Sequence, residues 1–140
     1  MATTPRPVYR NIHISQIVGY RLPPAGIVSI LHRVSGAMLF LLLPFIVWLF
    51  DVSVTSEVSY ERFTSAFVAG IGFLHGWFIK LVALALIWGY LHHFIAGIRH
   101  LWMDMTHSVT KELGHMSAIS TLASSLLFTV ILGAKLFGIY

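Results

Sequence analysis

Two adjacent histidines, His92 and His93, stand near the end of a long apolar stretch and could do chemistry there. Ionisable side chains are costly to bury inside a membrane span and are therefore usually functional. Residues at helical positions i, i+3, i+4 and i+7 share one face. Four residues stand in that relation: His93, Ala96, Gly97 and His100. Two imidazoles about 10 Å apart along a helix, with only small side chains between them on that face, suit a large planar cofactor.

Four residues of this segment have roles in that hypothesis. His93 would ligate the metal of the cofactor, and Gly97 would let the ring plane approach the helix backbone. Arg99 and His100 would meet anionic groups at the rim of the cofactor. His92 lies about 100° round the helix from His93, so the residues alone divide the ligand role almost evenly between the two histidines.

The composition is that of an integral membrane protein. Of the 140 residues, 57% are hydrophobic and only 10% are charged, and the mean hydropathy is +0.83. Soluble domains carry about 25% charged residues, whereas one membrane crossing takes about 20 helical residues. Three such segments fit and little is left over, which excludes a large soluble catalytic domain. We therefore predict an all-α membrane protein with transmembrane helices at 27–50, 77–98 and 117–139.

Composition also excludes several kinds of chemistry. The chain has no cysteine, so it forms no disulfide and offers no thiolate to an iron–sulfur cluster. Its net charge is +4, but six of the nine Lys and Arg residues lie in the N-terminal part through residue 33 and in the loop at 99–116, on the side of the membrane that topology assigns to positive charge. We therefore expect no nucleic-acid partner. The first residues show no apolar signal-peptide core and no cleavage site, so we expect the first transmembrane helix to direct insertion.

The segments outside the transmembrane helices predict the orientation. The tail at 1–26 is basic, the loop at 51–76 is net acidic, and the loop at 99–116 holds Arg99 and Lys111. Because basic segments stay on the cytoplasmic side, we predict that the N-terminus and second loop are inside and that the first loop and C-terminus are outside. Three aromatic residues with helical spacing also predict a short interfacial helix in the first loop: Tyr60, Phe63 and Phe67.

The first transmembrane helix opens with a polar face of its own. Its members again stand at i, i+3, i+4 and i+7: Ser29, His32, Arg33 and Gly36. The predicted orientation puts this turn on the same side of the membrane as Arg99 and His100. We therefore expect two polar turns from different helices to converge at one depth.

The third transmembrane helix carries small residues. A stripe of them predicts close packing against another helix: Ser120, Ala123, Ser124 and Ser125.

Two segments of the chain resemble one known family. Residues 29–36, SILHRVSG, resemble the opening of the first transmembrane helix in the cytochrome b subunit of succinate dehydrogenase. His93, followed by GIRH at 97–100 and then Asp104, resembles the close of the second transmembrane helix of that subunit. The Arg-Pro-Val sequence at 6–8 and the three-helix layout are also similar.

The resemblance implies a membrane anchor. Such a subunit binds one haem b together with a second small membrane subunit, and it holds an iron–sulfur subunit and a flavoprotein subunit on the inner side. Electrons from succinate would pass through FAD and iron–sulfur clusters, which lie only in the partner subunits, to ubiquinone. This chain would not oxidise succinate itself. Because the first residues show no clear presequence, we expect a bacterial inner membrane rather than a mitochondrial one.

The family pattern also assigns residues. His93 would be the axial ligand of the haem iron, and Ser29 and Arg33 would meet the quinone. The implied cofactor-binding residues are His32, Arg33, His93, Gly97 and His100, with His32, Arg33 and His100 near the haem propionates. A quinone carbonyl accepts a hydrogen bond from a hydroxyl, and reduction builds negative charge that Arg33 would stabilise.

Several alternatives stay open at this point. Cofactor sites in helix bundles lie between facing helices, so we expect the second haem ligand from the partner subunit, with His32 as an internal alternative. His92 would face a partner helix or the quinone region. The chain could instead anchor a fumarate reductase or another quinone-linked b-type cytochrome. It could also be a cofactor-free membrane protein whose polar turns bind substrate or lipid headgroups.

Overall fold

The computed structural model describes residues 12–107 and 109–140, and over these residues it has five helices and no extended strand. In chain order they are α1 (Ile14–Val18), α2 (Pro24–Val54), α3 (Glu57–Val68), α4 (Gly76–Thr106) and α5 (Lys111–Leu136). Three of them, α2, α4 and α5, are long and apolar enough to cross a membrane. The predicted all-α fold with three membrane-crossing helices is confirmed. The similarity at residues 6–8 lies outside the described residues.

Helices α2 and α4 extend beyond both ends of the segments predicted to cross the membrane, whereas α5 begins earlier than predicted but ends at Leu136, short of the predicted end at residue 139. Helices α2 and α4 have 31 residues each and α5 has 26, whereas a bilayer core needs only about 20. Residues 99–106, predicted as loop, continue α4 as helix, and His107 closes it in the left-handed conformation with φ of 52°. Arg99 and His100 therefore have directions fixed by a helix. The crossing segments themselves and the orientation remain predictions.

Local residues account for where the helices begin. Pro24 stands at the first position of α2, where its missing N–H removes no helical hydrogen bond. At the start of α3, the side chains of Ser56 and Ser59 each bond the other's backbone N–H. At the start of α5, the Thr110 hydroxyl accepts from the backbone N–H of Leu113 at 3.2 Å.

Helix α3 confirms the short helix predicted from aromatic spacing. The rings of Phe63 and Phe67 meet edge to face with centroids 5.2 Å apart. The chain then turns sharply into α4 through Gly70, whose φ of 94° favours glycine. A Cβ at Gly76 would lie 2.6 Å from the carbonyl oxygens of Phe67 and Val68, so only glycine fits there.

The three long helices pack through small side chains. The fully buried apolar residues are Val28 of α2, Ala96 of α4 and Ala118 of α5, and they form one cluster. The buried face of α5 consists of Ala118, Thr121, Ser125, Thr129 and Gly133. Its hydroxyls donate to carbonyls within α5 itself, at 2.7 to 3.0 Å. Small residues thus let the helices approach closely without leaving a buried hydroxyl unpaired.

The predicted stripe on α5 had the right kind of residue but the wrong face. Ser120 and Ala123 are exposed, Ser124 is half-buried, and only Ser125 is fully buried. The packed face repeats every three or four residues from Ala118, whereas the predicted stripe combined residues from adjacent faces.

We expect Gly133→Leu to lower the thermal stability of the protein in mild detergent. A Cβ at Gly133 would already lie 2.7 Å from Leu84 Cδ1 of α4, and overpacking of this kind destabilises by about 1–3 kcal/mol. The control is Ala123→Leu on the exposed side of α5, which should unfold at the wild-type temperature. Equal loss of stability in both variants would contradict the packing described for α4 and α5.

Candidate functional site

Three histidines meet between α2 and α4 and form what we call the histidine cluster: His32, His93 and His100. The rings of His32 and His93 stack with centroids 4.3 Å apart and planes 16° apart. The ring of His32 also lies 5.1 Å from that of His100. All three side chains are half-buried. Of the two polar turns predicted to converge, His32 and His100 are brought together; their common depth in a membrane stays a prediction.

The Nδ1 atom of His93 faces the backbone of α2. It lies 3.1 Å from the carbonyl oxygen of His32 and 3.4 Å from the hydroxyl oxygen of Ser35. A backbone carbonyl can only accept a hydrogen bond, so we place the proton of the neutral imidazole on Nδ1. The lone pair then remains on Nε2. Metal-ligating histidines characteristically donate their other ring N–H to a carbonyl or carboxylate in this way.

Glycines make room for these rings on both helices. A Cβ at Gly36 would lie 2.8 Å from Cε1 and 3.2 Å from Nδ1 of His93, which is too close for any larger residue without a shift. A Cβ at Gly97 would lie 3.7 Å from Nε2 of His32, an ordinary contact. Gly36 therefore lets His93 reach the α2 backbone. The role predicted for Gly97, approach of a cofactor plane, stays a prediction.

Ser29 and Arg33 lie one turn apart on α2, near the beginning of that helix. Ser29 is half-buried and the Arg33 side chain is exposed. An exposed guanidinium on this turn can meet a group outside the chain. The roles predicted for both residues at a quinone stay predictions.

His92 points into the chain's own helix bundle. It is 0% exposed, and its ring lies 5.4 Å from that of Trp88 with planes 26° apart. By strict hydrogen-bond geometry neither ring nitrogen has a partner within the described part of the chain, although the ring lies close enough to the backbone of Val28 to interact with it. The prediction that His92 faces a partner helix or the quinone region is wrong. The reason is that α4 turns its His92 and Ala96 face towards α2 and α5, where Ala96 packs with Val28 and Ala118.

Arg99 fastens α4 to the beginning of α5. Its Nε donates to the Ser117 hydroxyl at 2.9 Å and its Nη2 to the Gly114 carbonyl at 3.2 Å. The expectation was that Arg99 would meet anionic groups at the rim of a cofactor. Arg99 instead follows His92 by seven residues, so it shares the face of α4 that packs inward.

Ser35 belongs to this site and was missed in the sequence. It is 3% exposed, and its hydroxyl donates to the His32 carbonyl at 3.0 Å. The available signal was its position one turn after His32 and next to Gly36. That signal is weak, because serines in membrane helices commonly bond a carbonyl of the preceding turn.

The described side chains alone do not form a metal site, since no group of three or more His, Cys, Asp or Glu among them could hold an ion. The stacking of His32 and His93 explains part of this. Each nitrogen lone pair lies in the plane of its ring, and nearly parallel stacked rings do not direct their lone pairs at one atom between them.

Residues 3–132 match the family described as succinate dehydrogenase/fumarate reductase transmembrane subunit. Similar curated proteins are named succinate dehydrogenase cytochrome b556 subunit. The protein of Coxiella burnetii is 32% identical over 114 residues, which cover 81% of this chain and 86% of the relative. That of Paracoccus denitrificans is 30% identical over 112 residues, with 80% and 81% covered. That of Rickettsia felis is 25% identical over 113 residues, with 81% and 82% covered.

We expect His92→Phe to leave the thermal stability in detergent equal to or above that of the wild type. Leaving a buried polar group unpaired costs about 1–3 kcal/mol, and an apolar group of similar shape removes that cost. The comparison variant is His92→Asp, which places a carboxyl group in the same enclosed site and should destabilise strongly. Strong destabilisation by His92→Phe would show that the imidazole has a partner and would contradict the site described for it.

Proposed function

Because the chain belongs to the transmembrane-subunit family of succinate dehydrogenase and fumarate reductase, we propose that it is the cytochrome b anchor that binds haem b and helps form the ubiquinone-reduction site. Membership in this family implies an iron–sulfur subunit and a flavoprotein subunit as partners. Iron–sulfur clusters would belong to those partners, since this chain offers no cysteine thiolate, and FAD would belong to the flavoprotein subunit. The observation that carries the proposal is the hydrogen bond of His93 Nδ1 to the His32 carbonyl.

The residues around His93 fit a haem ligand. Nδ1 is held by a backbone carbonyl, and the proton there leaves Nε2 as the donor atom. The side chain is half-buried rather than enclosed, so a macrocycle can reach it from outside the chain. When bound, haem b supplies one-electron transfer, and two imidazole ligands leave its iron no open position for oxygen.

The burial of His92 supports His93, rather than His92, as the haem ligand. His92 is 0% exposed and packs on Trp88 inside the chain. A porphyrin at His92 would have to separate α4 from α2 and α5, whose contact there is the cluster of Val28, Ala96 and Ala118. His93 needs no such rearrangement.

The geometry of His32 supports a second ligand from the partner subunit. To hold one iron together, two histidines of this chain would have to direct their nitrogen lone pairs at a common point. His32 instead stacks on His93 with nearly parallel rings, so the two do not form such a pair. His32 and His100 then remain available as hydrogen-bond donors to the propionates, with Arg33 as a charge-assisted partner.

Ser29 and Arg33 would supply the quinone contacts of this chain. The hydroxyl of Ser29 would donate to a quinone carbonyl, and the guanidinium of Arg33 would stabilise negative charge on the quinone during reduction. Both stand on the turn of α2 that carries His32. A quinone there would lie close to the histidine cluster, on the side where the predicted orientation puts the iron–sulfur subunit. The bacterial relatives favour an inner membrane as the location.

We expect His93→Ala to abolish the b-type reduced-minus-oxidised absorption spectrum of the complex purified with its partner subunits. The axial donor atom is removed, and the stacked His32 is not directed to replace it. His92→Phe is the matched control on the neighbouring position and should keep the spectrum. A wild-type spectrum in His93→Ala would remove the ligand assignment.

We expect Arg33→Ala to lower succinate–quinone turnover about tenfold or more, because a hydrogen bond to a charged group contributes about 1.5–3 kcal/mol. Ser29→Ala should lower turnover less, because its hydroxyl is neutral. Electron transfer to a dye that accepts upstream of the quinone should be unchanged in both variants. Arg62→Ala in α3 is the control and should leave both activities intact. Parallel loss of both activities in Arg33→Ala would indicate an assembly defect instead.

A further inference from the structure

The turn of α2 from His32 to Gly36 contacts the His93 ring. Two residues of this turn have no role in the function proposed above. We propose that Ser35 and Gly36 are positioning residues that set the orientation and the electron-donating strength of the His93 imidazole. This rests on the proposed function, because it matters for redox chemistry only if His93 ligates haem.

The Ser35 hydroxyl acts on His93 through a shared acceptor. Ser35 donates to the His32 carbonyl at 3.0 Å, and His93 Nδ1 lies 3.1 Å from the same oxygen. A carbonyl oxygen has two lone pairs, and in a helix one already accepts the N–H four residues later. The hydroxyl therefore competes with His93 and weakens the hydrogen bond from Nδ1. Such outer hydrogen bonds set the basicity of a histidine ligand.

Gly36 acts by leaving space. A Cβ there would lie 2.8 Å from Cε1 of the His93 ring, so the ring would have to rotate away and Nδ1 would leave the His32 carbonyl. Gly89 offers a contrast on the facing helix. A Cβ at Gly89 would lie 2.5 Å from Met38 Cε, which is the mobile end of a flexible side chain and can move aside.

Ser125 is the comparison for Ser35, because it is a buried serine that, among the described residues, bonds only within its own helix. It is 0% exposed and donates to the carbonyl three residues earlier, that of Leu122, at 3.0 Å. Ser35 makes the same local bond to His32. Ser35 differs because the Nδ1 atom of His93, from another helix, lies 3.4 Å from its hydroxyl oxygen.

The test measures the midpoint potential of haem b in the complete purified complex. In Ser35→Ala the competing donor is gone, so the His93 N–H bond strengthens, the imidazole donates more strongly and the ferric state is stabilised. We expect a lower midpoint potential and an altered low-spin electron paramagnetic resonance signal. Ser35→Thr should restore both, and Ser125→Ala should leave both unchanged. An unchanged or raised potential in Ser35→Ala would overturn the role of the hydroxyl.

A second pair of variants tests the space at Gly36. Gly36→Ala should lower the haem-to-flavin ratio of the purified complex, on the order of tenfold, as loss of ligand support typically does. Gly89→Ala should keep the wild-type ratio. Equal ratios in the two variants would overturn the role of Gly36.

Two outcomes separate this inference from the proposed function. Retention of haem in His93→Ala would refute the proposed function. Loss of haem in His93→Ala, together with a wild-type midpoint potential in Ser35→Ala, would refute this inference alone.

Discussion

The hydrogen bond between His93 Nδ1 and the His32 carbonyl oxygen, at 3.1 Å, is the interaction on which the site depends. It joins α4 to the backbone of α2, and it fixes which nitrogen of His93 is free. Gly36 makes the bond possible because the ring could not reach the carbonyl past a larger residue. The same turn carries Ser29 and Arg33, so in the proposed function one stretch of α2 would serve the haem ligand, the propionates and the quinone contact.

Close packing of the three long helices keeps that bond in place. Small residues on the buried face of α5 let α4 pack closely against α5. Arg99 hydrogen-bonds α4 to α5 at the end of the bundle where the histidine cluster lies. The interior is thereby narrow and closed, as the burial of His92 shows. In the proposed function, haem would therefore bind at the outer surface of the α2–α4 pair, where a partner subunit could also reach it.

The sequence predicted the parts of this arrangement that depend on hydrophobicity and helical period. Three apolar stretches predicted three long helices, and the spacing of His93, Gly97 and His100 predicted that these residues share a face. The rotation of α4 about its axis was not predictable, since His92 and His93 differ by only about 100°. The contacts of Arg99 and the packed face of α5 depend on the same rotations. Ser35 was missed because its role depends on the approach of a residue 58 positions away.

A cryo-electron microscopy map of the complete complex, purified with its membrane and headpiece subunits, tests the central claim most directly. The account predicts a haem iron bonded to Nε2 of His93, with Nδ1 of that residue against the His32 carbonyl and the opposite axial ligand from the partner subunit. An iron ligated by His92 or by His32, or a His93 ring turned into lipid with no porphyrin beside it, would contradict the account.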